Sequence, residues 1–191
     1  MLFRSESQAD IMGRTGSNAC VFIALYMGKL CVQKNLTWPT GNLFSKSWQT
    51  SLKEAMIKGN LIHDDLFDQE GINVTVDDAV SMAGEECRVR AMGPQVDIFG
   101  LNPVDQLANF LIQEAQNLTQ SYFAIVAHEG ASPVIVHSDQ SAMIIDSHHH
   151  MNKGAIFACS QAGNLPSLAL WFDAMMKATW QCFLTTRMFD R

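Results

Sequence analysis

Phe44, Trp48, Leu52 and Met56 fall at strict four-residue intervals, and after Gln120 that period disappears. In its place come short apolar runs at 122–127, 134–137, 142–145 and 155–158, separated by Gly, Ser, Asp and Pro. A period near 3.6 marks a helix with one buried stripe; short runs bounded by turn residues mark strands. Helices first and a meandering antiparallel sheet second make an α+β layout. With 191 residues, 48% of them hydrophobic, the chain can bury a sizeable core as one domain, 1–191. Within it, about 1–120 is expected to be mainly helical and about 121–191 mainly sheet.

The local pattern refines this layout. Residues 1–19 are polar and turn-rich. A buried helix is expected over 20–33, from the spacing of Phe22, Ile23, Tyr26, Met27 and Leu30. Trp38, Pro39, Thr40 and Gly41 mark a turn, and Trp38 and Trp48 are expected to be packing residues. The four-residue series predicts a helix over 42–58, ended by Gly59 and Asn60. Residues 63–71, with Asp64, Asp65, Asp68 and Glu70, read as an acidic loop. A helix after Thr75 carries Ala79, Val80 and Met82, and 87–92 suits a short strand. Asn102 and Pro103 form a helix start, followed by the apolar stripe Val104, Leu107, Phe110 and Leu111. Residues 165–176 suit a helix and 180–186 a last strand.

Net charge is −6 with histidine neutral. Nucleic-acid binding calls for a basic patch that displaces counterions, so it is not expected here. The five cysteines, Cys20, Cys31, Cys87, Cys159 and Cys182, are odd in number, irregularly spaced and without a CxxC pair. That excludes a disulfide framework or zinc ribbon and suits a reducing, cytoplasmic or other intracellular compartment. Cys31, Cys87, Cys159 and Cys182 then read as small buried hydrophobes. The first ten residues include Arg4, Glu6 and Asp10 and lack the apolar stretch of a secretory signal. No run approaches the roughly 18 apolar residues of a membrane span.

Cys20 stands apart because Gly16, Ser17 and Asn18 let the chain turn just before it and an apolar helix begins at it. A helix N-terminus carries partial positive charge and free N–H donors, an environment that favours the thiolate of a cysteine. Far downstream, the strand 142–145 runs into Asp146, Ser147 and His148. On a continuing strand, residues two apart share a face, so Asp146 can orient His148 while His148 faces a thiol. A thiol nucleophile needs a base and a group that holds the base. Gln8, twelve residues before Cys20 in a polar segment, can offer a side-chain N–H to an oxyanion. His150 would share the face of Asp146 if the strand continued, and is the second choice for the base. His149 and His150 otherwise read as solvated loop residues. A zinc site built from these histidines with Asp139 and Asp146, plus His137 or His128, is disfavoured, because adjacent histidines diverge and no HExxH is present. No metal and no cofactor is expected.

Glutamine, then cysteine opening a helix in a first lobe, then histidine on a strand in a sheet-rich second lobe resembles the papain-like cysteine peptidases. The acid two residues before the histidine is similar to the deubiquitinating domain of herpesvirus large tegument proteins and its cellular or bacterial tegument-like relatives. Gln8, Cys20, Asp146 and His148 carry the resemblance, together with the hairpin 123–136 and the strands around it; the middle, about 35–120, carries none of it. The gap between Gln8 and Cys20 is longer than in papain itself and suits the tegument-like group. The resemblance implies a papain-like fold, a helical lobe packed on an antiparallel sheet. It implies a monomeric thiol isopeptidase with Cys20 as nucleophile, His148 as base and acid, Asp146 holding the imidazole tautomer, and Gln8 in the oxyanion hole. Its implied partner is ubiquitin or ubiquitin chains. The ubiquitin tail ends in two glycines after two arginines, so Asp64, Asp65, Asp68, Glu70 or Glu129 are expected near the arginines unless they are ordinary solvated residues. Leu66 and Phe67 are expected to meet the apolar patch of ubiquitin. The alternatives are a protease or deconjugase for a ubiquitin-like modifier or another peptide, and a silent ubiquitin-binding module.

Overall fold

The computed structural model describes residues 6–39, 44–89, 102–117, 120–127, 130–137, 139–150 and 154–180. The chain is α+β. Among the described residues five α-helices, α1 (Cys20–Gln33), α2 (Lys46–Phe67), α3 (Val76–Cys87), α4 (Pro103–Asn117) and α5 (Leu165–Trp180), accompany four strands. The strands β1 (Gln120–Ala127), β2 (Gly130–His137), β3 (Ala142–Asp146) and β4 (Ile156–Ser160) form one antiparallel sheet in sequence order. A meander of this kind needs only local connections, which the Gly-, Ser- and Asp-containing breaks between the apolar runs provide.

By packing, the chain falls into two compact units. One comprises 1–92, 123–134 and 144–157; the other comprises 93–122, 135–143 and 158–191. In the first, α1 packs on α2 and on α3. Phe22, Ile23 and Met27 of α1, and Trp48, Leu52 and Met56 of α2, are fully buried. Phe44 stacks on Phe157 of β4 with ring centroids 4.7 Å apart, and Trp48 meets the same ring edge-on. The Trp48 indole donates to the Thr37 carbonyl (2.8 Å), so its one polar atom is satisfied in the core. In the second unit α4 packs on α5, burying Leu107 and Leu111 of one helix and Leu168 and Phe172 of the other.

α1 matches its expected bounds. Thr75 caps α3 by accepting the Asp78 N–H (3.1 Å), and its hydroxyl donates to the Asp78 carboxylate (2.7 Å). Cys87 is the last residue of α3 rather than the start of a strand: Arg88 turns left-handed (φ 57°) and Val89 N–H closes on the Gly84 carbonyl. α5 runs on to Trp180; the expected strand beyond it, like Thr40, Gly41, 90–92, His128, Glu129 and Cys182, lies outside the described residues.

The largest departure is α2, which does not stop at Gly59 and Asn60 but continues to Phe67, where Asp68 turns left-handed (φ 50°). The acidic segment is therefore mostly helix. Its buried positions, Leu52, Ala55, Met56, Gly59, Asn60, Ile62 and His63, keep a three- and four-residue period through the supposed stop. Gly59 is there because α1 crosses at that point: a Cβ on Gly59 would lie 2.7 Å from the Ile23 backbone nitrogen and closer still to its side chain. Gly59→Ala is expected to lower the unfolding free energy by roughly 1–3 kcal/mol, as overpacking does, reading as a lower urea midpoint at unchanged slope. An unshifted midpoint would mean the crossing has room to spare.

Candidate active site

Cys20 is buried as the first residue of α1, and Ala19 before it offers no capping side chain to the helix N-terminus. The approach to Cys20 is fastened at several points. Arg14 donates to the Gly16 carbonyl (3.2 Å) and, with two nitrogens, to the Asp64 carboxylate on α2 (2.5 and 2.9 Å). The bidentate bonds favour both charges, lifting the Arg14 guanidinium and holding Asp64 below the usual carboxylate range. The Ser17 hydroxyl donates to Oδ1 of Asn60 (2.6 Å) and accepts the Ala19 N–H (3.2 Å). Asn18 donates to Asn73 (2.6 Å).

Asp146, the last residue of β3, is 1% exposed. Its Oδ1 accepts both the backbone N–H (2.9 Å) and Nδ1 (2.6 Å) of His148. Its Oδ2 accepts from the Ser132 hydroxyl of β2 (3.0 Å) and faces Nε2 of His150 at 3.5 Å. The strand ends at Asp146, so a shared strand face is not what aligns the acid with His148. An Asx turn does: the carboxylate grips the backbone two residues on and the ring of the same residue. With Nδ1 committed to Asp146, Nε2 remains for the sulfur of Cys20, to which His148 is hydrogen-bonded.

His150 is not a solvated loop residue; it is buried against Asp146. His149 is exposed, 3.8 Å from the Asp10 carboxylate. Among the described residues no group of three or more His, Cys, Asp and Glu is placed to hold a metal ion, and no helix is long and apolar enough to cross a membrane.

Gln8 is 2% exposed. Its backbone N–H donates to the Ser147 carbonyl (2.8 Å), and its side-chain oxygen accepts from the Ser147 hydroxyl (2.7 Å). Its amide nitrogen donates to the Ser17 carbonyl (3.3 Å), which points the –NH2 at the loop delivering Cys20. A primary amide has two hydrogens, so one remains for a second acceptor. The segment is a strap: Glu6 accepts the Ala155 N–H (2.8 Å), and the chain lies so close to Gly154 that a Cβ there would collide with the Glu6 backbone. All four sequence-expected residues, Gln8, Cys20, Asp146 and His148, thus belong to the same compact unit.

Three contributors carry no motif. Ser132 holds the second oxygen of Asp146. Gly130 at the start of β2 lies against the imidazole; a Cβ there would sit 2.9 Å from Cε1 of His148. Asn60 donates to the carbonyls of Gln8 (3.1 Å) and Met56 (2.9 Å) while accepting from Ser17. Of these only Asn60 left a trace in the sequence, as a polar residue on the apolar stripe of α2, four after Met56.

Asp64 is taken by Arg14, whereas Asp65, Asp68 and Glu70 are exposed. Leu66 is exposed, while Phe67 is half-buried with its ring 5.0 Å from His63. Burial pushes the Cys31 thiol up to about 12 and the Cys87 thiol up to about 11, as expected of inert packing cysteines. No protein-family model and no curated protein matches the sequence.

Burial works against charge on both Asp146 and His148, but each stabilises the other's ion. His148 is raised to about 10 by the Asp146 carboxylate and then by the Cys20 sulfur, and Asp146 is held well below the carboxylate range. A raised histidine stabilises the fold fully below its ordinary value of 6.5 and loses that contribution as pH climbs through about 10. A depressed aspartate does so above its ordinary 3.8 and loses it in acid. Asp146→Asn is therefore expected to flatten the fall in stability between neutral pH and pH 10 and to lower the His148 titration seen by NMR. An unchanged His148 titration would show that the carboxylate does not govern it. Gly130→Ala, which presses on Cε1, is expected to shift the imidazole and slow alkylation of Cys20 by iodoacetamide; an unchanged rate would show that the ring accommodates the methyl group.

Proposed function

We propose that this protein is a cysteine-dependent deubiquitinase with a papain-like catalytic arrangement. What carries the reading is the hydrogen-bonded series from Asp146 through His148 to Cys20 at a helix start, beside the anchored amide of Gln8. Nucleophile, base and orienting acid are in contact, and a donor faces the loop that leads to the nucleophile. The ubiquitin part of the reading is supported by the Asp146–Ser147–His148 motif and its similarity to tegument-type deubiquitinating domains.

The chemistry follows from these roles. Cys20 gives its proton to Nε2 of His148, and its sulfur attacks the carbonyl carbon of the C-terminal glycine of ubiquitin. The carbonyl electrons move to oxygen, which accepts from the amide of Gln8 and the backbone N–H of Cys20. His148 passes the proton to the leaving lysine amine as the C–N bond breaks, leaving a thioester. Water, deprotonated by the same nitrogen, attacks the thioester; the C–S bond breaks, and ubiquitin leaves with a free carboxylate as the proton returns to sulfur. Asp146 keeps Nδ1 protonated and the ring aimed throughout, without itself taking a proton.

The test is ubiquitin bearing a C-terminal thiol-reactive warhead, with Cys20→Ala as control. An adduct of one ubiquitin mass that disappears in the control is the expected outcome. A folded protein that forms none, yet reacts with the same warhead on a ubiquitin-like tail, would move the substrate to that modifier. One that reacts with neither while binding ubiquitin would make the chain a silent binding module.

A further inference from the structure

Asn60 sits inside α2, 2% exposed, on a helix whose other buried residues are, apart from His63, apolar or small. Its side chain uses every hydrogen-bonding capacity of its amide nitrogen within the protein. One N–H goes to the Met56 carbonyl of its own helix (2.9 Å), the other to the Gln8 carbonyl (3.1 Å), and Oδ1 accepts from the Ser17 hydroxyl (2.6 Å). Gln8 and Ser17 are the two ends of the loop that separates the oxyanion donor from the nucleophile. They also touch each other, because Gln8 Nε2 donates to the Ser17 carbonyl (3.3 Å). Ser17 in turn accepts the N–H of Ala19, the residue before Cys20. One buried amide therefore fixes both the position of the donor and the entry of the chain into α1.

We infer that Asn60 is a positioning residue that sets the distance between Gln8 and Cys20, and so builds the oxyanion hole. The inference rests on the cysteine-hydrolase reading above and concerns its rate rather than its substrate. Helix α2 supplies the rigidity: Met56 holds the Asn60 amide from one side, and Gly59 beside it lies against α1 at Ile23. The two donors that must meet one developing oxyanion thus come from segments clamped to the same helix turn. Such a residue acts on the transition state through placement, where a displacement near 1 Å costs about a hundredfold in rate. Burying a primary amide that had no such role would gain little, since an apolar residue there would need no partners.

The experiment compares wild type, Asn60→Asp, Gln8→Ala and the double variant on ubiquitin carrying a C-terminal aminocoumarin amide. Alkylation of Cys20 by iodoacetamide is followed in parallel by mass spectrometry. Asn60→Asp keeps the shape and the acceptor for Ser17 but cannot donate to Gln8. We expect its kcat to fall by about a hundredfold at near-constant KM, in line with a displaced donor. The double variant should be no slower than Gln8→Ala alone. Alkylation, which develops no oxyanion, should be unchanged in all three variants. If alkylation falls together with turnover, or if the two single losses multiply in the double variant, Asn60 is a structural residue and the inference is overturned. If Asn60→Asp does not fold, Ser17→Ala decides: slowed turnover with intact alkylation supports the inference, and unchanged turnover sinks it. An active wild type whose Asn60→Asp variant keeps full kcat overturns this inference alone. A wild type that hydrolyses no ubiquitin amide and forms no adduct overturns the deubiquitinase reading, and this inference with it.

Discussion

A carboxylate with 1% exposure stands at the end of β3, and the arrangement around it follows from the cost of putting it there. An isolated buried carboxylate is strongly disfavoured and survives as an anion only if its lone pairs are met by donors. Asp146 is met by the backbone and ring of His148, the Ser132 hydroxyl and, at longer range, Nε2 of His150. Each donor constrains a different part of the chain. Ser132 ties β2 to the end of β3, the His148 backbone bond forces the chain to turn directly after the strand, and His150 draws the following segment back under it. The turn frees Nε2 for Cys20. The orientation of the imidazole is thus a by-product of satisfying one charge, and the depressed aspartate and raised histidine are two expressions of that satisfaction.

A second buried polar group, the amide of Asn60, does for the N-terminal strap what Asp146 does for the histidine. The strap is clamped at Glu6 by Ala155, at Gln8 by Ser147 and again at Gln8 by Asn60. Ser147 is the link between the two systems: it lies between Asp146 and His148, and it holds both the backbone and the side chain of Gln8. A shift of the Asp146 turn would move the acceptor of the Gln8 backbone N–H and the donor to its side-chain oxygen. His148 and Gln8 are therefore coupled through one residue, Ser147. That coupling follows from the hydrogen-bond pattern alone.

What was legible in the sequence divides along the range of the interactions involved. The bounds of α1, the cap at Thr75, the start of α4 and the four-strand meander depend on neighbours within a few residues, and the local pattern carries them. The extent of α2 departs from the local pattern for a reason that is also physical. Gly and Asn end helices when the backbone beyond them is free, but Gly59 is selected by the crossing of Ile23 and Asn60 by bonds to Gln8 and Ser17. Those partners lie 36 to 52 residues away in the chain, beyond any window. The period Met56, Gly59/Asn60, Ile62/His63 persisted in the sequence, but the stop signal outweighed it. The acidic run looked like a solvated loop because the cation that meets Asp64 is Arg14, fifty residues earlier.

The site residues show the same division in a sharper form. Cys20 is marked locally, by a turn and a helix start. Asp146 and His148 are marked by being two apart, and an Asx turn, not a shared strand face, brings them together. A pleated strand places residues two apart on one face but leaves their relative reach to the neighbouring strands. An Asx turn makes the acid grip the residue two on by its backbone, so the ring has little freedom except to return to the same oxygen. Spacing of two is thus over-determined for a reason that needs no further strand residue. His150 faces Oδ2, not the oxygen that grips His148. Its burial is explained by the carboxylate instead: an anion in the core has more lone pairs than one histidine and one serine can fill.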